Sequence, residues 1–159
     1  MKCYVEFPCD NMQIISDQIY KFLQTNTTLL VTPTSSIWNF IETRDLLNYV
    51  PELAEFFKKN HLIPRHAAVT IINDAAGCLP RHIDEMPVVA KLNMPVINTQ
   101  GWANRWYIDD KLVAEYLNMT SPIILNSQIE HSVEKNDSVQ YPRIVASFTF
   151  HNEPVHLLA

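Results

Sequence analysis

His82 and Asp84 stand two residues apart in the run His82-Ile83-Asp84, and His131 follows 49 residues later. Alternate residues of an extended segment point to the same side, so His82 and Asp84 can reach one metal ion from a single strand end. Alone, a His-x-Asp arises often by chance, and it reads equally as a solvated turn after Pro80. His131 opens a short β-like segment after a polar turn, where it is either a third ligand or a core histidine bonded to a backbone carbonyl. Two histidines and one carboxylate on one side of an octahedral ion leave three adjacent positions open. That geometry suits iron(II) chemistry in which a bidentate co-substrate and dioxygen bind together.

Arg143 comes 12 residues after His131 and opens an otherwise apolar, alternating strand. A guanidinium buried there is unfavourable unless it meets an anion. A carboxylate is its best partner, through two parallel hydrogen bonds. Glu134 and Asp137, in the preceding loop, are candidates; the far carboxylate of a bound dicarboxylate such as 2-oxoglutarate is another. Trp102, Trp106 and Tyr107 read either as hairpin packing or as an apolar wall beside the metal. His61, His66, His151 and His156 lack partners at ligand spacing. Cys78 is expected as a small buried residue rather than a ligand.

These residues need a strand-rich frame. Residues 66–73, 88–98, 122–125, 131–133 and 143–151 are β-branched or alternating, the last with Ile144, Ala146, Phe148 and Phe150 on one side. Residues 105–108 and 111–116 flank Asp109-Asp110 as a hairpin. Many short strands imply an antiparallel sandwich or barrel, with a jelly roll as the first expectation. The front differs. Met12, Ile15, Ile19, Phe22 and Leu23 have helical spacing, and Asp10 or Asn11 could cap them. Residues 29–32 are expected as a short strand. Residues 46–60 carry a second apolar face that Pro51 splits into a turn and a helix beginning at that proline.

At 159 residues the chain is one domain's worth, with a helical front over 1–64 and a strand-rich metal-binding core over 65–159. Two glycines, Gly77 and Gly101, cannot build a phosphate-cradling loop. A net charge of -5 gives no basic surplus for gripping phosphates, so no nucleic-acid partner is expected. Three cysteines without a CxxC pair argue against both a disulfide framework and a cysteine-type zinc site. With neither an apolar signal core nor a membrane-length run, no membrane partner is expected and a cytoplasmic location is.

Over roughly residues 67–150 the chain resembles the 2-oxoglutarate and iron(II)-dependent oxygenases. The context is most similar to the aspartyl/asparaginyl β-hydroxylase-type branch. The resemblance rests on His82-x-Asp84, on Lys91-Leu92-Asn93-Met94-Pro95-Val96, on His131-Ser132-Val133 followed by Asn136, and on Arg143-Ile144. Lys91 stands where the branch usually has an arginine, and Asn93 near its histidine. The resemblance implies a double-stranded β-helix (a cupin-like jelly roll) with flanking N-terminal helices. It implies iron(II) on His82, Asp84 and His131, and 2-oxoglutarate as co-substrate bound by Arg143, with Lys91 and Asn93 as further contacts. The activity implied is a dioxygenase that hydroxylates a small molecule or a peptide side chain. Two readings stay open beside it: a cupin-like metal-dependent binder of small acids or sugars without oxidase activity, and a zinc hydrolase, since two histidines, a carboxylate and a water also suit zinc.

Overall fold

The computed structural model describes residues 1–30, 37–74, 77–85 and 88–159. The chain runs β1 (Tyr4–Glu6), α1 (Met12–Asn26), β2 (Trp38–Ile41), α2 (Thr43–Tyr49), α3 (Pro51–Lys59) and β3 (Pro64–Ile72). It continues with β4 (Leu79–His82), β5 (Ala90–Ile97), β6 (Trp102–Ile108), β7 (Lys111–Leu117), β8 (Ile123–Asn126), β9 (Glu130–Lys135) and β10 (Arg143–Phe150), and closes on a short 3-10 turn, Val155–Leu158. The strands form two antiparallel sheets, six-stranded in the order β1-β8-β5-β10-β3-β2 and four-stranded in the order β4-β9-β6-β7. The protein is therefore mostly β, a two-sheet sandwich with three α-helices among the described residues. Among the described residues no helix is long and apolar enough to cross a membrane.

The helices cover the outer face of the larger sheet because both partners alternate correctly. Ile15, Ile19, Phe22 and Leu23 of α1 are buried, as are Leu53, Phe56 and Phe57 of α3. They meet Ile144, Ala146, Phe148 and Phe150 of β10 together with Val69, Ile71, Leu92 and Met94 in one apolar cluster. Phe57 packs edge-on to Phe148 at 5.0 Å and to Phe150 at 5.5 Å. Contacts of this geometry add about 0.5–1.5 kcal/mol each beyond the area they bury.

The helical front is richer than its periodicity alone. Asn11 occupies the cap position of α1, but its side chain bonds no backbone N–H and instead accepts from Cys9 Sγ at 3.5 Å. Pro51 does open α3, where its missing N–H costs nothing. The segment before it is a full seven-residue helix, α2, rather than a turn. Glu42 caps α2 by accepting from Arg44 N. The strand expected over 29–32 runs into residues outside those described; Leu29 and Leu30 lie in a turn. Two short strands of the front, β1 and β2, form the edges of the larger sheet.

The space between the sheets is chemically different from the helix-covered face. Arg143, Val145 and Ser147 of β10 point into it, as do Thr70, Lys91, Asn93, Asn104 and His131. Two small apolar clusters plug parts of this space: Trp106, Met119, Ile123, Leu125 and Val145 in one, and Ile72, Trp102 and Val133 in the other. A dry core behind the larger sheet thus holds the frame, and the cleft between the sheets is free to carry polar groups.

Candidate metal centre

β4 and β9 place the two histidines. His82 closes β4, and its partner across the ladder is His131 on β9. Residues directly opposite in an antiparallel pair project from the same face, and here the rings lie 4.3 Å apart. His82 Nδ1 bonds the Pro80 carbonyl at 2.7 Å, and His131 Nδ1 bonds the Ile129 carbonyl at 2.8 Å. A carbonyl only accepts, so each Nδ1 carries a proton and each Nε2 is the atom left for a cation.

Asp84 lies just beyond β4 and is pinned through its backbone. Its N–H donates to Ser127 O at 3.0 Å, and its carbonyl accepts from Gln128 Nε2 at 3.1 Å. Oδ1 then sits 3.4 Å from His82 Nε2 and 3.9 Å from His131 Nε2. Ligand atoms of all three residues lie within 4.8 Å of one another. An ion with bonds of about 2.1 Å holds neighbouring ligand atoms about 3 Å apart, so a small inward movement would complete the set. The donor types and the two fixed imidazole tautomers fit a divalent transition metal.

The charges suit that purpose. Burial opposes ionisation of Asp84, but the hydrogen bond from His82 and the Lys91 ammonium outweigh it and hold the carboxyl well below the usual carboxylate range. The bond to Asp84 raises His82 against the effect of burial, so the carboxylate that would share a cation with His82 also favours its protonated form. Burial pushes His131 down to about 4, which keeps it neutral and available as a ligand. Lys91 is 6% exposed and forms an ion pair with Asp84 Oδ2, with its ammonium 5.0 Å from the Trp38 ring centre.

A cavity of about 320 Å³ opens from this group into the sandwich. Thr70, Asn93 and Ser147 line it from the larger sheet, and Asn104, Trp106 and Val133 from the smaller. Ser147 Oγ donates to Asn93 Oδ1 at 2.7 Å. A second groove of about 410 Å³ shares Trp38, Asp84, Lys91 and Ser147 with the first and leads outward past Phe40 and His66. A larger cleft, about 610 Å³ beside α1, contains none of the triad residues.

Arg143 lies on the same inward face of β10 as Ser147, four residues along, beyond the side chains that line the cavity. It is 1% exposed. Among the described residues it has no hydrogen bond and no ion pair, only the Trp102 ring 5.6 Å away, and its Nε is buried without an acceptor. Neither loop carboxylate takes it. Glu134 is engaged by Arg105 at 2.6 Å, by Ser132 at 2.7 Å and by Tyr107 at 3.1 Å, and Asp137 caps Ser138 N at 2.8 Å. Burial pushes the guanidinium down to about 10, so it stays charged at neutral pH. Trp102 Nε1 and Tyr141 Oη are likewise buried without partners among the described residues, and their rings meet edge-on at 6.1 Å.

The aromatic cluster divides by strand face. Trp106 lines the cavity and stacks on Tyr4 at 4.8 Å, and Trp102 sits against Arg143. Tyr107 faces outward, under Arg81 and bonded to Glu134. Cys78 is exposed rather than buried, because Leu79 is the residue of that segment that turns into the sandwich. Sequence reasoning missed Trp38, Thr70 and Asn104. Their membership depends on which strands face one another across the cleft, and no local pattern marks it.

No family model matches this chain, and no curated protein matches it. Solved structures do. AviO1 from Streptomyces viridochromogenes Tue57 superposes with a TM-score of 0.53 at 15% identity, covering 96% of this chain and 92% of AviO1. EvdMO1 superposes with a TM-score of 0.54 at 17% identity, covering 94% of this chain and 48% of EvdMO1, so the chain spans about half of that protein's length. At these identities the likeness concerns the fold alone.

Proposed function

We propose that the chain is a non-haem iron(II) dioxygenase that couples decarboxylation of 2-oxoglutarate to hydroxylation of an organic substrate. The observation that carries this reading is Arg143, a fully buried guanidinium with no acceptor, on the inward face of the strand that also lines the cavity beside His82, Asp84 and His131. A cation buried this way is unfavourable without an anionic partner, and a dicarboxylate reaching from the metal group supplies one. A zinc hydrolase or a sugar-binding jelly roll leaves that guanidinium unexplained, whereas a metal-dependent binder of small acids would use it too and differs from the oxygenase in forming no succinate.

The strand order supports the matching fold, a double-stranded β-helix. From β3 to β6 the chain changes sheet at every step, turns through the β6–β7 hairpin, and alternates again from β7 to β10. The resulting layers, β8-β5-β10-β3 and β4-β9-β6-β7, are the two faces of such a roll.

Each residue then has a task. His82, Asp84 and His131 would hold iron(II) from one side and leave three positions open. Arg143 would clamp the far carboxylate of the co-substrate, joined by the neighbouring donors Trp102 Nε1 and Tyr141 Oη. Asn93 and Ser147 would offer polar contacts along its length, and Trp106, Leu125 and Val133 would exclude water. Iron(II), when bound, supplies the activation of dioxygen, one oxygen atom going to succinate as carbon dioxide leaves and the other to the hydroxylated product. The substrate would enter along the groove past Trp38 and Phe40.

Arg143→Ala should leave iron binding nearly intact while weakening 2-oxoglutarate binding at least about tenfold, since truncating one partner of a buried charge pair costs roughly 2–5 kcal/mol. Arg143→Lys should recover only part of the loss, because a point charge cannot serve both oxygens. Isothermal titration of the iron-loaded protein under nitrogen measures both. Unchanged affinity in Arg143→Ala would remove the reason for the reading.

A further inference from the structure

We infer that Lys91 fixes Asp84 as a single-oxygen metal ligand and so sets how many positions around the ion stay open, an inference that rests on the proposed metal site. The three ligands are held in different ways. His82 and His131 project from paired strands, and a backbone carbonyl fixes each ring through Nδ1. Asp84 follows the end of β4, so its carboxylate has no strand to orient it. Its two oxygens are nonetheless distinct. Oδ1 faces both Nε2 atoms, and Oδ2 faces away from them onto the Lys91 ammonium.

Lys91 is suited to hold that distinction. It sits in β5 between Ala90 and Leu92, both fully buried, opposite Leu125 of β8. The backbone that carries it is therefore fixed on both sides. The Trp38 ring lies against its ammonium, and Asp84 is its only carboxylate partner among the described residues. A desolvated ammonium of this kind stays on its counter-charge.

The consequence is one of counting. A carboxylate can bind an ion through one oxygen or through both. With Oδ2 occupied by Lys91, three protein atoms ligate and an octahedral ion keeps three positions, enough for a two-oxygen co-substrate and one further ligand. With Oδ2 released, four protein atoms ligate and that third position is lost. The structure gives Lys91, expected from the sequence as a co-substrate contact, a contact to the metal-ligating carboxylate of Asp84. Lys91 is a positioning residue, acting through Asp84.

Manganese(II) serves as the probe, because its effect on water proton relaxation reports how many exchangeable waters remain on the bound ion. The parent should show the relaxivity of three inner-sphere waters. Lys91→Met should lower the relaxivity per bound ion by about one third, as the freed carboxylate takes a second position. Lys91→Arg, which still donates to Oδ2, should restore the parent value. Relaxivity in Lys91→Met equal to that of the parent would show that the lysine only neutralises charge, and would overturn the inference while leaving the metal site standing. The parent carries a second test that needs no variant: a value matching two waters contradicts the assignment directly. A parent that binds no manganese(II) overturns the metal site and this inference together.

Discussion

The two histidines carry a detail that spacing cannot supply. Each is locked by a main-chain carbonyl, and the protein thereby presents Nε2 of both rings toward one carboxylate oxygen. His82→Ala and His131→Ala should each lose bound iron(II), from one per chain to nearly none, while far-UV circular dichroism and the unfolding midpoint stay close to the parent's. Metal content unchanged in both purified variants would place the ion elsewhere. Residue types at their spacing made His82, Asp84 and His131 legible from sequence, because two imidazoles and a carboxylate have few other reasons to converge. The burial of Arg143 was legible for a different reason: it opens an apolar strand, and a guanidinium there contradicts its surroundings. The grip of Lys91 on Asp84 was not legible, since it depends on β5 and the end of β4 meeting across a fold that neither segment encodes alone.

Elements were legible where their periodicity was long. α1, α3, both strands of the β6–β7 hairpin and β10 are each seven residues or longer, so their sequence patterns had room to repeat. Asp109 and Asp110 take the left-handed backbone that a two-residue hairpin turn requires, at φ 49° and 63°. β4 was not among the strands expected from patterning, and its end read as a strand end or equally as a polar turn, because it is four residues long, contains Pro80 and pairs on one side only. An edge strand tolerates such a sequence, and its register with β9 is what delivers His82 to His131. The connection before β6 depends on Gly101. Its φ is 81°, its carbonyl accepts from Asn136 N and Asp137 N, and an added Cβ would clash with Ser138 O. Gly101→Ala should therefore destabilise the protein by about 1–3 kcal/mol. Urea denaturation followed by tryptophan fluorescence checks it; an unchanged midpoint would mean that the loop leading to Arg143 yields freely.

At the scale of the molecule, the two sheets divide the work. The larger sheet turns Phe148, Phe150, Leu92 and Met94 toward the helices and seals a dry core. Its other face can then hold Thr70, Lys91, Asn93, Arg143 and Ser147 without losing cohesion. Polar side chains are in this way mounted on strands whose backs are fixed by packing, which is what a ligand site needs to keep its geometry. The proposed function requires that one ion and one dicarboxylate occupy the cleft at the same time, the first on His82, Asp84 and His131 and the second reaching to Arg143. Anaerobic titration of the iron(II)-loaded protein with 2-oxoglutarate tests this most directly. A weak visible charge-transfer band should grow with added co-substrate, saturate at one equivalent per iron, and fail to form at the same concentrations in Arg143→Ala. Iron bound at the triad with no such band at any 2-oxoglutarate concentration would contradict the proposed activity and leave a metal-binding sandwich in its place.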